Sequence, residues 1–410
     1  MKKEQFHIRS HYYLTLLIAF CLPIARFTPI FIALLLLNWL VEGDFRNKFK
    51  SIGKNNVALL FIGFYILHLI GLTYTQNRES GLFDIQVKFS LLVFPLVFAT
   101  KPIAKPEMKN VFFAFIAGAI VSSFILLTRA IYTYVVNGEN NFFYQEFSSY
   151  LIHPSYLSMY FNLAIAWLLI QVLNKSFIQT YSTAYSCLII LFFSFVIVLL
   201  SSKLGLIVLI LQFIGFLVFF IISRKKYILG GAGLLLILIS AYSVITFVPA
   251  IRDRVHNAVI AISATTDNEK DSESTAVRLL IWKAADQVIS ENFLWGTGTG
   301  DAKDALMKEY QKRGMTGALE HKLNSHNEYY QVFLSLGLIG FLLLIASLLL
   351  PLKEAFNTSN YIYILFLVII ILNFIPESMF ETQAGVMFYA FFNSLLCFSD
   401  SNYLTTQKSQ

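Results

Sequence analysis

The stretch Asn324-Ser325-His326-Asn327-Glu328-Tyr329-Tyr330 stands where the longest polar segment of the chain turns back into an apolar run, Val332 to Leu350. A helical membrane span needs about 20 apolar residues, with about 17 as a practical minimum, so this run is long enough to cross a bilayer. A histidine at such a junction is held by a membrane helix on one side and faces water on the other. Position alone makes His326 an interfacial polar residue at a helix start, with Ser325 or Asn324 as the N-cap. What lies around it decides whether it is more than that.

The whole chain repeats the apolar theme. It is 57% hydrophobic and 13% charged, with a mean hydropathy of +0.66, 40 Phe and 21 Tyr. Soluble domains carry about 25% charged residues. The sequence therefore predicts an all-α, polytopic membrane protein. The net charge of +7 reflects orientation in a membrane rather than nucleic-acid binding. Cys21, Cys187 and Cys397 all lie in apolar runs, far apart in sequence, and suggest neither a disulfide framework nor a zinc site. The start, Met1-Lys2-Lys3 and then an apolar run from Tyr12, imitates a signal peptide. The run ends Leu22-Pro23-Ile24-Ala25-Arg26 without a small-x-small cleavage site and reads as an uncleaved first span.

Apolar runs predict about twelve spans: Tyr12–Ala25, Thr28–Val41, Val57–Leu72, Leu82–Ala99, Val111–Val136, Ser155–Leu173, Ala184–Leu200, Leu204–Ile222, Tyr227–Phe247, Asn327–Leu350, Tyr361–Ile375 and Gly385–Phe398. This divides the chain into residues 1–248 (nine spans), a loop domain at 249–326, and residues 327–410 (three spans and a tail). With the N-terminus inside, the basic loops (Arg46, Lys48, Lys50 and Lys54; Lys101, Lys105 and Lys109; Lys175; Arg224-Lys225-Lys226; Lys353) all fall on the cytoplasmic side. The short outer loops hold only Arg26, Arg78 and Lys203. That alternation is what the positive-inside rule expects, and it places both termini in the cytoplasm and the long loop outside. No repeat relates the two halves. Gly230-Gly231-Ala232-Gly233 predicts a close helix contact, and Pro154 a first-turn proline.

In the long loop, Val277, Leu280, Ile281, Ala284, Ala285, Val288 and Ile289 recur at helical spacing and predict an amphipathic helix over Thr275–Asn292. Arg278 and Trp282, four apart, share a face of it. Next comes Phe293-Leu294-Trp295-Gly296-Thr297-Gly298-Thr299-Gly300-Asp301, whose alternate glycines permit a tight turn with exposed backbone N–H groups able to cradle a phosphate around Gly298. The same glycines suit a plain turn before the next helix, Ala302–Arg313. Thr265–Ser274 is charged and small and reads as mobile.

Ionisable residues inside spans are costly and point to function. Lys88, Arg129, Lys203, His153, Glu377 and Glu381 all fall near the outer ends of spans. Snorkelling of Lys and Arg explains one or two of them. Several basic groups at one level, with Arg278 and His326 above, fit an anionic ligand such as a lipid-linked pyrophosphate. A pyrophosphate leaving group needs positive charge where negative charge develops. An acceptor hydroxyl needs a base titrating near neutrality, and histidine is the usual one. No carboxylate cluster of the kind that holds a divalent metal for a nucleotide-sugar donor is evident in the sequence, so a metal-independent reaction without a cofactor is expected.

Four motifs together resemble the O-antigen ligase and O-antigen polymerase superfamily: Arg278 through Gly300, read as Arg-x-x-x-Trp and then Asn-Phe-Leu-Trp-Gly-x-Gly-x-Gly; Ser325 through Tyr329 with Gly337-Leu338-Ile339-Gly340; His153-Pro154-Ser155-Tyr156; and Ser201-Ser202-Lys203-Leu204-Gly205. The resemblance implies glycan transfer at the periplasmic face of the bacterial inner membrane. The implied donor is an undecaprenyl-pyrophosphate-linked glycan, the implied acceptor the lipid A core, and the reaction is inverting. It implies His326 as the base or acceptor-orienting group and Arg278 as the pyrophosphate contact. Lys203 stands where many members have arginine, keeping the charge without the bidentate fork. Glu377 and Glu381 resemble polar residues before the last span of some members. A polymerase, a protein-directed ligase of the same superfamily, and a secondary transporter are the competing readings. The other outer loop, Asn137–Pro154, is short, which favours ligase over polymerase. A transporter would place its charges at the midplane in paired halves.

Overall fold

The computed structural model describes residues 2–173, 183–263 and 275–399. The reading of Thr265–Ser274 as mobile, Lys175 and the tail beyond Ser399 fall outside them. The described residues form helices and connections without a strand. In order these are α1 (Lys2–Cys21), α2 (Thr28–Glu42), α3 (Phe45–Gly53), α4 (Asn56–Tyr74), α5 (Arg78–Lys88), α6 (Ser90–Thr100), α7 (Lys105–Asn137), α8 (Tyr144–Ser148), α9 (Pro154–Leu173), α10 (Thr183–Leu200), α11 (Lys203–Arg224), α12 (Tyr227–Phe247) and α13 (Pro249–Ser263). They continue as α14 (Thr275–Glu291), α15 (Ala302–Arg313), α16 (Thr316–Glu320), α17 (Glu328–Asn357), α18 (Tyr361–Asn373) and α19 (Gln383–Phe398), with a 3-10 turn at Met379–Glu381.

Eight of the described segments are long and apolar enough to span a membrane, α5 and α6 together counting as one. The bent pair α2–α3 makes a ninth if it is one span. The expectation of twelve is therefore met only in part. α18 and α19 have 13 and 16 residues, short of the usual minimum of about 17. In α1 the first half is polar, so only its second half supplies apolar length. At Gly43 (φ 77°) and Asp44 (φ 55°) two successive left-handed residues end α2, and α3 leaves at 111° to it.

The chain forms two compact units. The first comprises residues 1–15, 30–108 and 258–410. In it α4 packs on α6 and α17, and α6 on α19. Its core is aromatic: Phe94 and Phe391 meet edge to face at 5.3 Å, and Phe374 and Phe380 at 5.2 Å. The second unit comprises residues 16–29 and 109–257. There α9 is the central helix, buried along most of its length and packed by α10 and α11. Phe112 of α7 stacks on Trp167 at 5.3 Å. Pro154 opens α9, where its missing N–H costs nothing. Gly230 and Gly233 face Ile221 and Leu217 of α11, so the expected close contact forms.

Candidate functional site

In the first unit, α14 and α15 build a small core of their own from Val277, Ile281, Ala284, Ala285, Val288, Leu306 and Tyr310, which packs on Leu334 of α17. The face read from the periodicity is thus the buried one. Arg278 and Trp282 leave it on the same side, one turn apart. On α15 the Glu309 carboxyl accepts from Arg313 Nε at 2.6 Å. That hydrogen bond, with Lys312 nearby, holds the carboxyl below its usual range against the opposing effect of burial.

Trp282 reaches the His326 turn, and Arg278 reaches Glu377 on a second turn. Trp282 Nε1 donates to the carbonyl of Ser325 at 3.0 Å, and its ring stacks on Tyr330 at 5.9 Å. Arg278 Nη2 lies 3.8 Å from Glu377 Oε1. This is an ion pair without a hydrogen bond, which leaves the in-plane N–H donors of the guanidinium open. His326 is half-buried, with φ at 46°, and its N–H donates to Asn324 Oδ1 at 3.0 Å. Left-handed backbone at a histidine is uncommon and marks a turn held by its surroundings. The cap of α17 is neither Ser325 nor Asn324. It is Asn327, whose Oδ1 accepts from Tyr330 N at 3.1 Å. This corrects the reading of Ser325 or Asn324 as the N-cap: His326 precedes the cap and belongs to the turn.

Two turns are bolted together here, residues 324–328 and 374–381. Glu328 N donates to Phe374 O at 2.8 Å, and Phe380 N donates to Glu328 Oε2 at 2.8 Å. Asn327 N donates to Ser378 Oγ at 3.1 Å, and the hydroxyls of Ser325 and Ser378 lie 3.0 Å apart. The bolt fixes Glu377 opposite Arg278. Sequence reading missed Glu328 and Ser378. An acid in the first turn of a long apolar helix was the available signal for Glu328; Ser378 gave none.

Lys88 departs from expectation. It is buried (2% exposed), pairs with Asp84 on its own helix, and reaches Glu381 at 3.2 Å. It neither snorkels nor presents its ammonium to a ligand; it ties the 377–381 turn to α5. Glu381 is engaged in the same tie.

The glycine loop also differs from a phosphate cradle. Its N–H groups are taken: Gly296 N by Asn292 O at 2.9 Å, Thr297 N by Leu334 O at 2.8 Å, Gly298 N by Ser335 O at 3.0 Å and Gly300 N by Thr75 Oγ1 at 3.2 Å. Gly337 (φ 62°, ψ −160°) breaks α17, which frees the Leu334 and Ser335 carbonyls to accept these bonds. A Cβ on Gly296 would come within 2.5 Å of the backbone at Ser335 and Gly337. The glycines serve a close backbone approach, and Gly298 is buried. Asp301 then fastens the loop to the turn after α4, accepting from the N–H groups of Gln76 and Asn77 at 2.7 Å each.

Arg129, His153 and Lys203 belong to the second unit. Lys203 is the first residue of α11, after the Ser202 cap, whose Oγ accepts from Gly205 N at 3.2 Å. Gly205 lies against Ser158 of α9, so the Ser201–Gly205 motif packs on the helix that the His153–Tyr156 motif begins. His153 lies between Tyr144 and Tyr156, with ring centroids at 6.2 and 6.1 Å. Arg129 stacks on Tyr150.

Residues 187–345 match the family model described as O-antigen ligase. The match covers less than half of the chain, and over that segment the protein is similar to O-antigen ligases. The matched segment holds Lys203, Arg278, Trp282, the glycine loop and His326, and stops short of Glu377 and Glu381. The apolar helices on either side of the matched loop make this a multi-pass membrane protein. No curated protein matches the chain.

Proposed function

We propose that this protein transfers a glycan from undecaprenyl pyrophosphate to a sugar hydroxyl at the periplasmic face of the inner membrane. The lipid A core is the proposed acceptor. His326 takes the proton of the acceptor hydroxyl. The acceptor oxygen attacks the anomeric carbon from the side opposite the pyrophosphate, the anomeric C–O bond breaks, and configuration inverts. Arg278 meets the charge that grows on the departing pyrophosphate. No metal ion or cofactor enters this scheme.

One observation carries the reading: α14 ties Trp282 to the turn that carries His326, through Ser325 O at 3.0 Å, and sets Arg278 3.8 Å from Glu377 on the second turn bolted to it. A cation and a histidine on two elements, fixed by bolted turns, suit a reaction that needs both at once. The test is His326→Ala in the native cell, at normal protein level. Loss of long-chain lipopolysaccharide, with polymerised glycan accumulating on the carrier, is the expected result. Single-unit chains on the lipid core would mark a polymerase instead, and an unchanged profile would remove His326 from the chemistry.

A further inference from the structure

Three arginines of the second unit converge on one short segment between α7 and α9. Arg26 Cζ lies 4.2 Å from the centre of the Tyr150 ring, and Arg129 Cζ lies 5.1 Å from the same ring. Arg129 Nη1 also donates to Ser149 Oγ at 3.2 Å. Arg254, at the start of α13, sits 3.6 Å over Tyr144, six residues before Tyr150. These residues come from four separate parts of the chain, so only the fold brings them together.

Their charge balance is unusual. Among the described residues, no carboxylate pairs with Arg26, Arg129 or Arg254. Glu146 on the same segment is exposed and forms no ion pair with them. The neighbouring Arg252 has its own partner, Asp253, at 3.2 Å. Arg254 Nε is buried with no hydrogen-bond partner. Two guanidinium groups on one ring repel each other, and a cation over an aromatic face gives only partial compensation. A guanidinium over an aromatic ring keeps N–H donors that the ring does not use, and these suit a phosphate oxygen pair. Tyr150 is 44% exposed, so the cluster is open to a ligand. Its members stand at the ends of α1, α7 and α12–α13, which fall at the outer membrane edge in the span assignment. The phosphate of a lipid headgroup lies at that level.

We propose that Arg26, Arg129 and Arg254, placed over Tyr150 and Tyr144, form a binding site for the phosphate of a lipid headgroup. The inference rests on these contacts and on the span assignment, not on the transfer reaction. A binding assay that measures no transfer keeps the two separable.

The probe is phosphatidic acid, added to the full-length protein in detergent micelles and read by native mass spectrometry. Diacylglycerol of the same chains and inorganic phosphate are the comparison ligands. Wild type should bind phosphatidic acid at least tenfold more tightly than diacylglycerol. Arg26→Gln/Arg129→Gln/Arg254→Gln together should abolish that preference. Tyr150→Leu, which leaves all three charges, should weaken binding about threefold if stacking orients the forks. Failure of inorganic phosphate to compete at equal concentration marks a lipid-borne ligand, whereas full competition marks a free-phosphate site and overturns the lipid assignment. Melting temperature identifies variants that fail to fold; for those, Arg26→Lys/Arg129→Lys keeps the charge, removes the forks and should still lose affinity. Equal binding by wild type and a folded arginine variant, or no preference over diacylglycerol, would overturn the proposal.

Discussion

Glu328→Ala is the sharpest test of the bolted turns. Glu328 is fully buried, and its Oε2 is the acceptor for Phe380 N–H at 2.8 Å. Truncation leaves that N–H buried and unmet, at a cost of about 1–3 kcal/mol. The chain can recover part of this by letting the 374–381 turn drift, and the turn carries Glu377, the partner of Arg278. With each 1.4 kcal/mol worth about tenfold in rate, transfer should fall roughly ten- to a hundredfold. Glu328→Gln keeps an acceptor oxygen for Phe380. It also exchanges Oε1, which has no partner, for another partnerless polar group, so transfer should stay within about threefold of wild type, given that one acceptor replaces another. The assay compares carrier-linked with acceptor-linked glycan in membranes matched for protein level. Equal loss in Gln and Ala variants would refute the argument, because it would mean that the charge at 328, not the hydrogen bond, is required.

Trp282→Phe removes the bond to Ser325 O and keeps the stack on Tyr330, so transfer should fall by about threefold to tenfold, the value of one hydrogen bond, with protein level unchanged in membrane blots. Gly337→Ala puts a Cβ at φ 62°, ψ −160°, a region open essentially only to glycine; about 3 kcal/mol of strain should cut the amount of folded protein in detergent, read by size-exclusion chromatography. Lys88→Met leaves the half-buried Asp84 and Glu381 without their cation and should destabilise by about 1–3 kcal/mol, whereas adding Asp84→Asn and Glu381→Gln should restore folded protein and much of the transfer. A restored but inactive triple variant would return Lys88 to the substrate. Glu309 is held below the usual carboxylate range by Arg313, so its stabilising effect is complete above about pH 4.3, the unfolded value, and is lost as pH falls through the lower folded value; thermal melts should show that loss in wild type and not in Glu309→Gln.

The helix that carries Arg278 and Trp282 was legible because its apolar residues recur at helical spacing. Lys88 and Gly298 were misread for one common reason. A buried lysine and a ligand-binding lysine look alike in sequence, as do a glycine that cradles phosphate and one that admits another backbone. What separates them is the partner, and the partners lie far along the chain: Glu381 for Lys88, Ser335 for Gly298. The arginine cluster was invisible for the same reason, since Arg26, Arg129 and Arg254 meet only on Tyr150 and Tyr144.

By itself, the sequence determined the helical membrane architecture and the amphipathic face of α14, because hydropathy and 3.6-residue periodicity are local properties of a chain in a bilayer. Only the tertiary structure decided which polar groups are spent on one another and which remain open to a ligand. Each buried charge and N–H must find a partner somewhere in the fold, and that choice is made by packing between distant segments.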